Sequence, residues 1–327
     1  MENPQISVLV CTRNRSTLLR EACEAILAVE DPGKPWELLI VDNLSTDDSM
    51  EVALSVAASD PRVRVEVEPI LGLSAARNAA IRHARGEFLI FIDDDAFPEP
   101  SWLRELTQAL EAPGVMSVGG PVTPQFAGEL PPWFGERYLP YVTVWDLGPE
   151  PVELAYNEYP RGANMGFRKE VFERFGDFSH HLGRRGNSLR SCEETELCLR
   201  IERSHGKVLY VPGARVDHRV DASRINEQWL MDRFGAQGRS EAIVDWHHGS
   251  WAGLRWGYSR FRRNAANAAE ATRDGGEDAH RFAECQKKAC QAYFWSALAC
   301  PFTVPRYRPG PQAGTVKPWE TMVRALG

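Results

Sequence analysis

Apolar residues gather in short runs separated by amphipathic stretches over roughly the first 120 residues. The runs at 6–11 (ISVLVC), 36–41 (WELLIV), 63–67 (VRVEV), 88–92 (FLIFI) and 115–119 (VMSVG) are short and rich in β-branched or aromatic side chains, so they predict strands. Between them the pattern predicts helices over 17–29, 49–58, 71 to about 84, and 101–111. In the first of these, Leu18, Leu19, Cys23, Ile26 and Leu27 recur at helical spacing, and Asn14 or Ser16 can cap the start. Strands apolar on both faces, alternating with helices, predict an α/β fold: a doubly wound, Rossmann-like, mostly parallel sheet flanked by helices.

The alternation stops at Pro121. Residues 121–159 are rich in Pro, Trp and Tyr and include Leu130-Pro131-Pro132-Trp133-Phe134-Gly135, whose aromatics suit either stacking on a sugar or covering the sheet edge. Residues 176–191 offer few apolar anchors and read as a mobile loop able to close over a ligand. A helix over 192–205, with Cys198, Leu199 and Ile201 on its buried side, and a strand over 207–211 lead to Val216-Asp217-His218. Beyond Asp221 helices are predicted over 226–247, 251–272 and 277–298, the last two separated by Arg273-Asp274-Gly275-Gly276. Prolines at 301, 305, 309, 311 and 318 predict an extended tail.

Composition narrows the class. The chain has 327 residues, 43% hydrophobic and 25% charged, as in ordinary globular proteins. A net charge of −7 argues against nucleic acid as a partner of the whole chain. The charge is uneven: residues 224–308 carry thirteen Lys and Arg against nine Asp and Glu, leaving −11 for the rest. Within that basic region, 246–263 reads WHHGSWAGLRWGYSRFRR. Such an aromatic–basic mixture suits a peripheral membrane contact, or equally a helical face packed on the rest of the chain or on a second subunit of a homo-oligomer. Seven scattered cysteines without zinc-type pairs read as reduced thiols of a cytoplasmic protein. The start, MENPQ, has no signal-peptide pattern, and no apolar run approaches the ~18 residues that span a bilayer.

The strand at 88–92 ends in three carboxylates, Asp93, Asp94 and Asp95, followed by Ala96-Phe97-Pro98-Glu99-Pro100, which cannot continue it. In open α/β sheets ligands sit beyond the carboxyl ends of strands. Three acids crowded there call for a cation, and oxygen ligands with an open coordination sphere suit Mg²⁺ or Mn²⁺ held jointly with substrate phosphates. Thr12 and Asp42 end the first two strands. Arg77 opens a helix and can meet either a phosphate or one of the acids. Glu193 and Glu194 start another helix about 100° apart around its axis. A phosphotransfer receiver would carry its acid pair after the first strand, where Thr12-Arg13-Asn14 stands instead. An aspartyl phosphatase would want Asp-x-Asp-x-Thr, and the Thr is missing.

Six motifs now stand in order: Thr12-Arg13-Asn14-Arg15, Val41-Asp42-Asn43-Leu44-Ser45-Thr46-Asp47, Gly72 through Ala76-Arg77-Asn78, the Asp triplet, Arg161-Gly162-Ala163-Asn164-Met165-Gly166-Phe167-Arg168, and Glu193-Glu194-Thr195-Glu196-Leu197. Together they resemble a family 2 glycosyltransferase of the GT-A fold, over about the first two thirds of the chain. The resemblance implies a metal-dependent, inverting transfer of a sugar from a nucleotide-diphosphate donor, UDP-linked by default, to a saccharide, lipid-linked or other hydroxyl acceptor in polysaccharide or glycoconjugate synthesis. It implies Thr12, Arg13, Asn14, Asp42, Arg77, Asp93 and Asp94 as nucleotide-sugar residues, Asp95 and His218 as metal ligands, Gly162, Asn164 and Glu193 as acceptor or sugar contacts, and Glu194 as base. The family's usual pair is Glu-Asp, so Glu194 is one methylene longer than expected, and the family often has an Asp where Asn43 stands. A sugar-nucleotide-binding protein without turnover is the alternative. The implied division is a catalytic domain over 1–222, its nucleotide half ending at about 120 and its acceptor half running from about 121, and a helical extension with Pro-rich tail over 223–327.

Overall fold

The computed structural model describes residues 3–156, 158–272 and 276–307. The predicted alternation is present as β1 (Ile6–Thr12), α1 (Ser16–Leu27), β2 (Trp36–Asp42), α2 (Ser49–Ser59), β3 (Val63–Val67), α3 (Leu73–His83), β4 (Phe88–Ile92), β5 (Ala96–Pro98), α4 (Trp102–Glu111) and β6 (Val115–Gly119). β7 (Val122–Phe126), a short β8 (Val152–Glu153), β9 (Asn164–Arg168), α5 (Glu170–Phe175), α6 (Glu193–Arg203), β10 (Lys207–Tyr210) and β11 (Val216–Val220) follow. The main sheet has the order β3-β2-β1-β4-β9-β6-β10-β8, and a second sheet has the order β5-β11-β7. The mostly parallel, mixed sheet expected from the sequence is therefore observed.

Alternation of side chains along each strand divides the core in two. Ile6, Val8 and Val10 of β1, Leu38 and Ile40 of β2 and Phe88, Ile90 and Ile92 of β4 join one cluster with Leu19 and Cys23 of α1, Val52 of α2 and Trp102 and Leu106 of α4. On the opposite face Phe91 meets Phe167 at 6.1 Å, Phe172 at 6.4 Å and Phe178 at 5.6 Å between ring centroids, all edge-on. Sequence reading left β5, β7, β8, β9 and β11 unassigned, and of these β9 lies in the interior of the main sheet. It pairs antiparallel with both β4 and β6 and so separates them. Met165 and Phe167 are buried like any central strand, yet the run is only five residues long and its Asn and Arg obscure the apolar pattern.

The chain forms two compact units. One contains Met1–Gln125, Thr143–His180 and Glu194–Arg219; the other contains Phe126–Val142, His181–Glu193 and the chain from Val220 onward. In the second unit lie α7 (Glu227–Ala271) and α8 (Glu277–Thr303). α7 is one element from Glu227 to Ala271, yet its axis folds back on itself where a break between 247 and 251 was expected. Arg260 pairs with Glu241, residues that a straight helix would hold about 28 Å apart. Gly257 faces Asp245 so closely that a β-carbon there would overlap Asp245 Oδ2 and Tyr293 Oη. Trp246 and Trp251 flank the reversal edge-on at 5.8 Å. The separation predicted at 273–276 falls largely outside the described residues, and so does the tail beyond 307.

Two further expectations are corrected, the first in part. The aromatics of 121–159 divide between two places: Trp145 packs edge-on against Tyr210 of β10 at 5.1 Å, covering the sheet, whereas Tyr141 stacks on Phe234 at 3.6 Å and Tyr138 meets Phe282 at 5.7 Å within the second unit. The stretch 176–191 does have anchors. Phe178 and Leu182 are buried, Asn78 bonds the Phe178 backbone through both its amide groups, and Arg200 Nη1 donates to the carbonyls of Phe175 and Asp177 at 2.9 Å each.

Candidate active site

The loops after β1 and β2 are stitched together before any ligand is considered. Asn14, at φ 55°, accepts from the Thr46 amide at 2.7 Å and donates its own amide to Ser45 Oγ at 3.1 Å. The Arg15 amide bonds Ser49 Oγ at 2.9 Å. Asn43, which stands where the family often has an acid, has a positioning role here. Its amide donates to the carbonyls of Glu68 and Ile70 and accepts from the Gly72 amide, pinning the approach to α3 against the end of β2.

Each acid of the triplet has its own partner. Thr12 Oγ1 donates to Asp94 Oδ2 at 2.7 Å, joining the ends of β1 and β4. Arg77, buried at 2% exposure on α3, donates through Nη2 to both Asp93 Oδ1 and the Gly162 carbonyl at 3.1 Å. A β-carbon at Gly162 would lie 2.6 Å from that nitrogen, so only glycine admits the guanidinium. Asp95, buried at 3%, faces two cations or cation surrogates: Arg15 Nη1 at 3.1 Å from Oδ2, and His218 Nε2 at 3.3 Å from Oδ1. His218 reaches it because β11 pairs antiparallel with β5, setting His218 opposite Ala96, and because the Arg219 amide bonds the Asp95 carbonyl. Burial, followed by the charge of Asp95, pushes the Asp94 carboxyl up to about 7; Arg15 and the Thr12 hydrogen bond oppose that shift.

Other expected residues fall differently. Asp42 is buried, accepts the Ser45 amide on Oδ2, and keeps Oδ1 without a hydrogen-bond partner. Arg13 is exposed. Asn164, expected to meet a sugar, is fully buried, with its side chain saturated by protein: it accepts from Trp102 Nε1 at 2.8 Å and donates to the carbonyls of Pro121 and Ala214 at 3.1 and 2.7 Å. It locks β9 to α4. Glu194, in the first turn of α6, is half-buried, with Oε2 lacking a hydrogen-bond partner, while Glu193 beside it is buried. Arg15 was missed. Its signal was its place in the Thr12–Arg15 motif, three residues from Thr12, but only the folded loop shows it turning onto Asp95.

A carboxylate oxygen and an imidazole nitrogen side by side at Asp95 and His218 form a donor pair that suits Mn²⁺ or Mg²⁺, and Arg15 shows that a positive charge is accommodated there. Among the described residues no group of three or more His, Cys, Asp or Glu is arranged to hold a metal alone. The protein would thus contribute these two ligands and leave positions for phosphate oxygens and water.

A doubly wound sheet with an acid triplet past β4, Asp94 and Asp95 buried and Asp93 half-buried, and a histidine delivered by a second small sheet fits a glycosyltransferase of the GT-A type. Residues 7–176 match the profile of Glycosyl transferase family 2. A glucosyl-dolichyl phosphate glucuronosyltransferase of Haloferax volcanii is 30% identical over 246 residues, covering 74% of this chain and 77% of the relative. The chain belongs to glycosyl transferase family 2. Two solved structures share its fold. A mannosyltransferase of Pyrobaculum calidifontis, in complex with GDP-mannose and Mn²⁺, superposes with TM-score 0.56 at 18% identity over 100% of this chain and 80% of that one. GalNAc-T7, with UDP, GalNAc and Mn²⁺, gives TM-score 0.57 at 15% identity over 95% of this chain and 59% of that one.

Proposed function

We propose that the protein transfers a sugar, with inversion, from a nucleotide-diphosphate donor to a hydroxyl acceptor carried on a lipid-linked or polysaccharide substrate. The observation that carries this reading is the Asp95–His218 pair beside the Asp93–Arg77–Gly162 and Asp94–Thr12 contacts, all at the carboxyl ends of β1 and β4. Mn²⁺ in both structural neighbours supports a divalent cofactor, and the dolichyl phosphate in the relative's name supports a lipid-linked acceptor. A bound divalent ion would neutralise the departing diphosphate as a Lewis acid, held by Asp95 and His218. Asp42, with Oδ1 buried and unsatisfied, is suited to accept a base N–H, and our default is the imide of uracil. Arg77 holds Asp93 in place for the ribose, and Thr12 holds Asp94 between it and Asp95. Glu194 takes the proton from the acceptor hydroxyl as it attacks the anomeric carbon, with no covalent intermediate.

Calorimetric titration with UDP and with GDP, each with and without Mn²⁺, tests this assignment. UDP should bind more tightly with Mn²⁺ than without, and Asp95→Asn should remove that metal-dependent gain. Preference for GDP would reassign the base. Metal-independent binding that Asp95→Asn leaves unchanged would overturn the metal site.

A further inference from the structure

The helical unit segregates its charge. From Trp246 to Ala269 and from Cys285 to Tyr307 the sequence contains seven Lys and Arg and no Asp or Glu, in a chain whose net charge is −7. Folding then sorts the side chains. Arg260 pairs with Glu241 and Lys288 with Asp232, so their charges are answered within the protein, while Trp246 and Phe261 are buried. Arg255 and Arg262 remain exposed in the second half of α7, on one stripe with Trp251 and Tyr258 at helical spacing. In α8, Phe294, Trp295, Leu298 and Phe302 fall within about 100° of arc. Tyr258 meets Phe294 at 5.2 Å, so the two stripes adjoin.

The resulting face is apolar to an unusual degree for protein surface facing water: Trp251 is 55% exposed, Trp295 67% and Phe302 86%. Arg262 lies over the Tyr258 ring at 6.0 Å, and Arg306 over Trp246 at 5.3 Å, so guanidinium groups border the aromatic surface. We propose that this face docks on the interface of a membrane rich in anionic lipid, with Trp251, Trp295, Leu298 and Phe302 entering at headgroup level and Arg255, Arg262 and Arg306 meeting the phosphates. Two features select a lipid surface over a protein partner. Exposed indole and phenyl rings beside arginines match the chemistry of the headgroup layer, and a carboxylate-free surface matches its negative potential. No helix among the described residues is long and apolar enough to cross a membrane, so the contact is peripheral.

Co-sedimentation of the full chain with phosphatidylcholine vesicles, with and without phosphatidylglycerol, tests this face. The protein should pellet with the anionic vesicles at low ionic strength and be released by salt. Trp295→Ser with Phe302→Ser should weaken partitioning by at least about tenfold, and Arg255→Gln with Arg262→Gln by about fivefold per arginine. These variants should keep the wild-type circular dichroism and the rate of donor hydrolysis in free solution, so loss of vesicle binding is separable from loss of fold or of the proposed chemistry. Absence of binding to anionic vesicles at low salt would overturn the assignment, as would binding that Trp295→Ser with Phe302→Ser leaves intact. Sedimentation velocity showing self-association abolished by the same pair, without vesicle binding, would replace the membrane by a second copy of the chain.

Discussion

At the head of α6, Glu194 keeps Oε2 buried and unsatisfied. A carboxylate oxygen left without a protein donor is available to an acceptor hydroxyl, which is the requirement for a general base. Glu194→Gln preserves shape and removes proton acceptance, so turnover should fall by about 10²–10⁴ with donor affinity little changed. Glu193→Gln should cost less. Steady-state kinetics with a fixed acceptor decide the matter, and the reverse order of effects would move the base to Glu193. Arg15 teaches a lesson at the same scale. Of the two arginines around Asn14, only Arg15 touches Asp95, because the positive φ of Asn14 turns the chain between them.

Among elements, β9 decides how the site is assembled. It separates β4 from β6, and its first residue, Asn164, ties Trp102 of α4 to the carbonyls of Pro121 and Ala214. Asn164→Ala would strand two buried polar groups, Trp102 Nε1 and the Ala214 carbonyl, each costing about 1–3 kcal/mol when unsatisfied, while the Pro121 carbonyl keeps the Val216 amide. Melting temperature should therefore drop by roughly 5–10 °C, read by differential scanning calorimetry, while nucleotide affinity of the folded fraction stays near wild type. A variant that melts like wild type but loses nucleotide binding would return Asn164 to the ligand-contacting residues. The small second sheet is equally specific in effect: its antiparallel register sets His218 opposite Ala96, next to Asp95.

The two units interleave along the chain, because 126–142 and 181–193 belong with the helices rather than with the sheet. Tyr138 donates to the Asp278 carbonyl and packs on Phe282, while Tyr141 stacks on Phe234. A chain ended at 222 would leave those rings without partners. We expect such a fragment to lack a cooperative melt and to bind hydrophobic dyes. A cooperative transition near the full-length temperature would instead establish 1–222 as a domain that stands alone.

Much of this protein was legible one segment at a time. The strands β1, β2 and β4 announce themselves because they are buried on both faces, which makes their sequences continuously apolar. The acid triplet is equally plain, since a strand ending in three carboxylates is a local feature. The family motifs follow one another in order, and they settled the class. The sequence did not reveal which cation answers which acid, because Arg15, Arg77 and His218 reach the triplet from 80, 16 and 123 positions away, and local periodicity carries no information about such closures. Nor did it reveal β9, whose five residues only become a strand between two neighbours already in place. The 246–263 segment makes the same point. Its tryptophans and arginines looked alike in sequence, and only the reversal of α7 against α8 buried Trp246 and Phe261 while leaving Trp251 and Arg262 outside. Which side of a helix meets water is set by what packs on the other side, and that is a property of the whole fold.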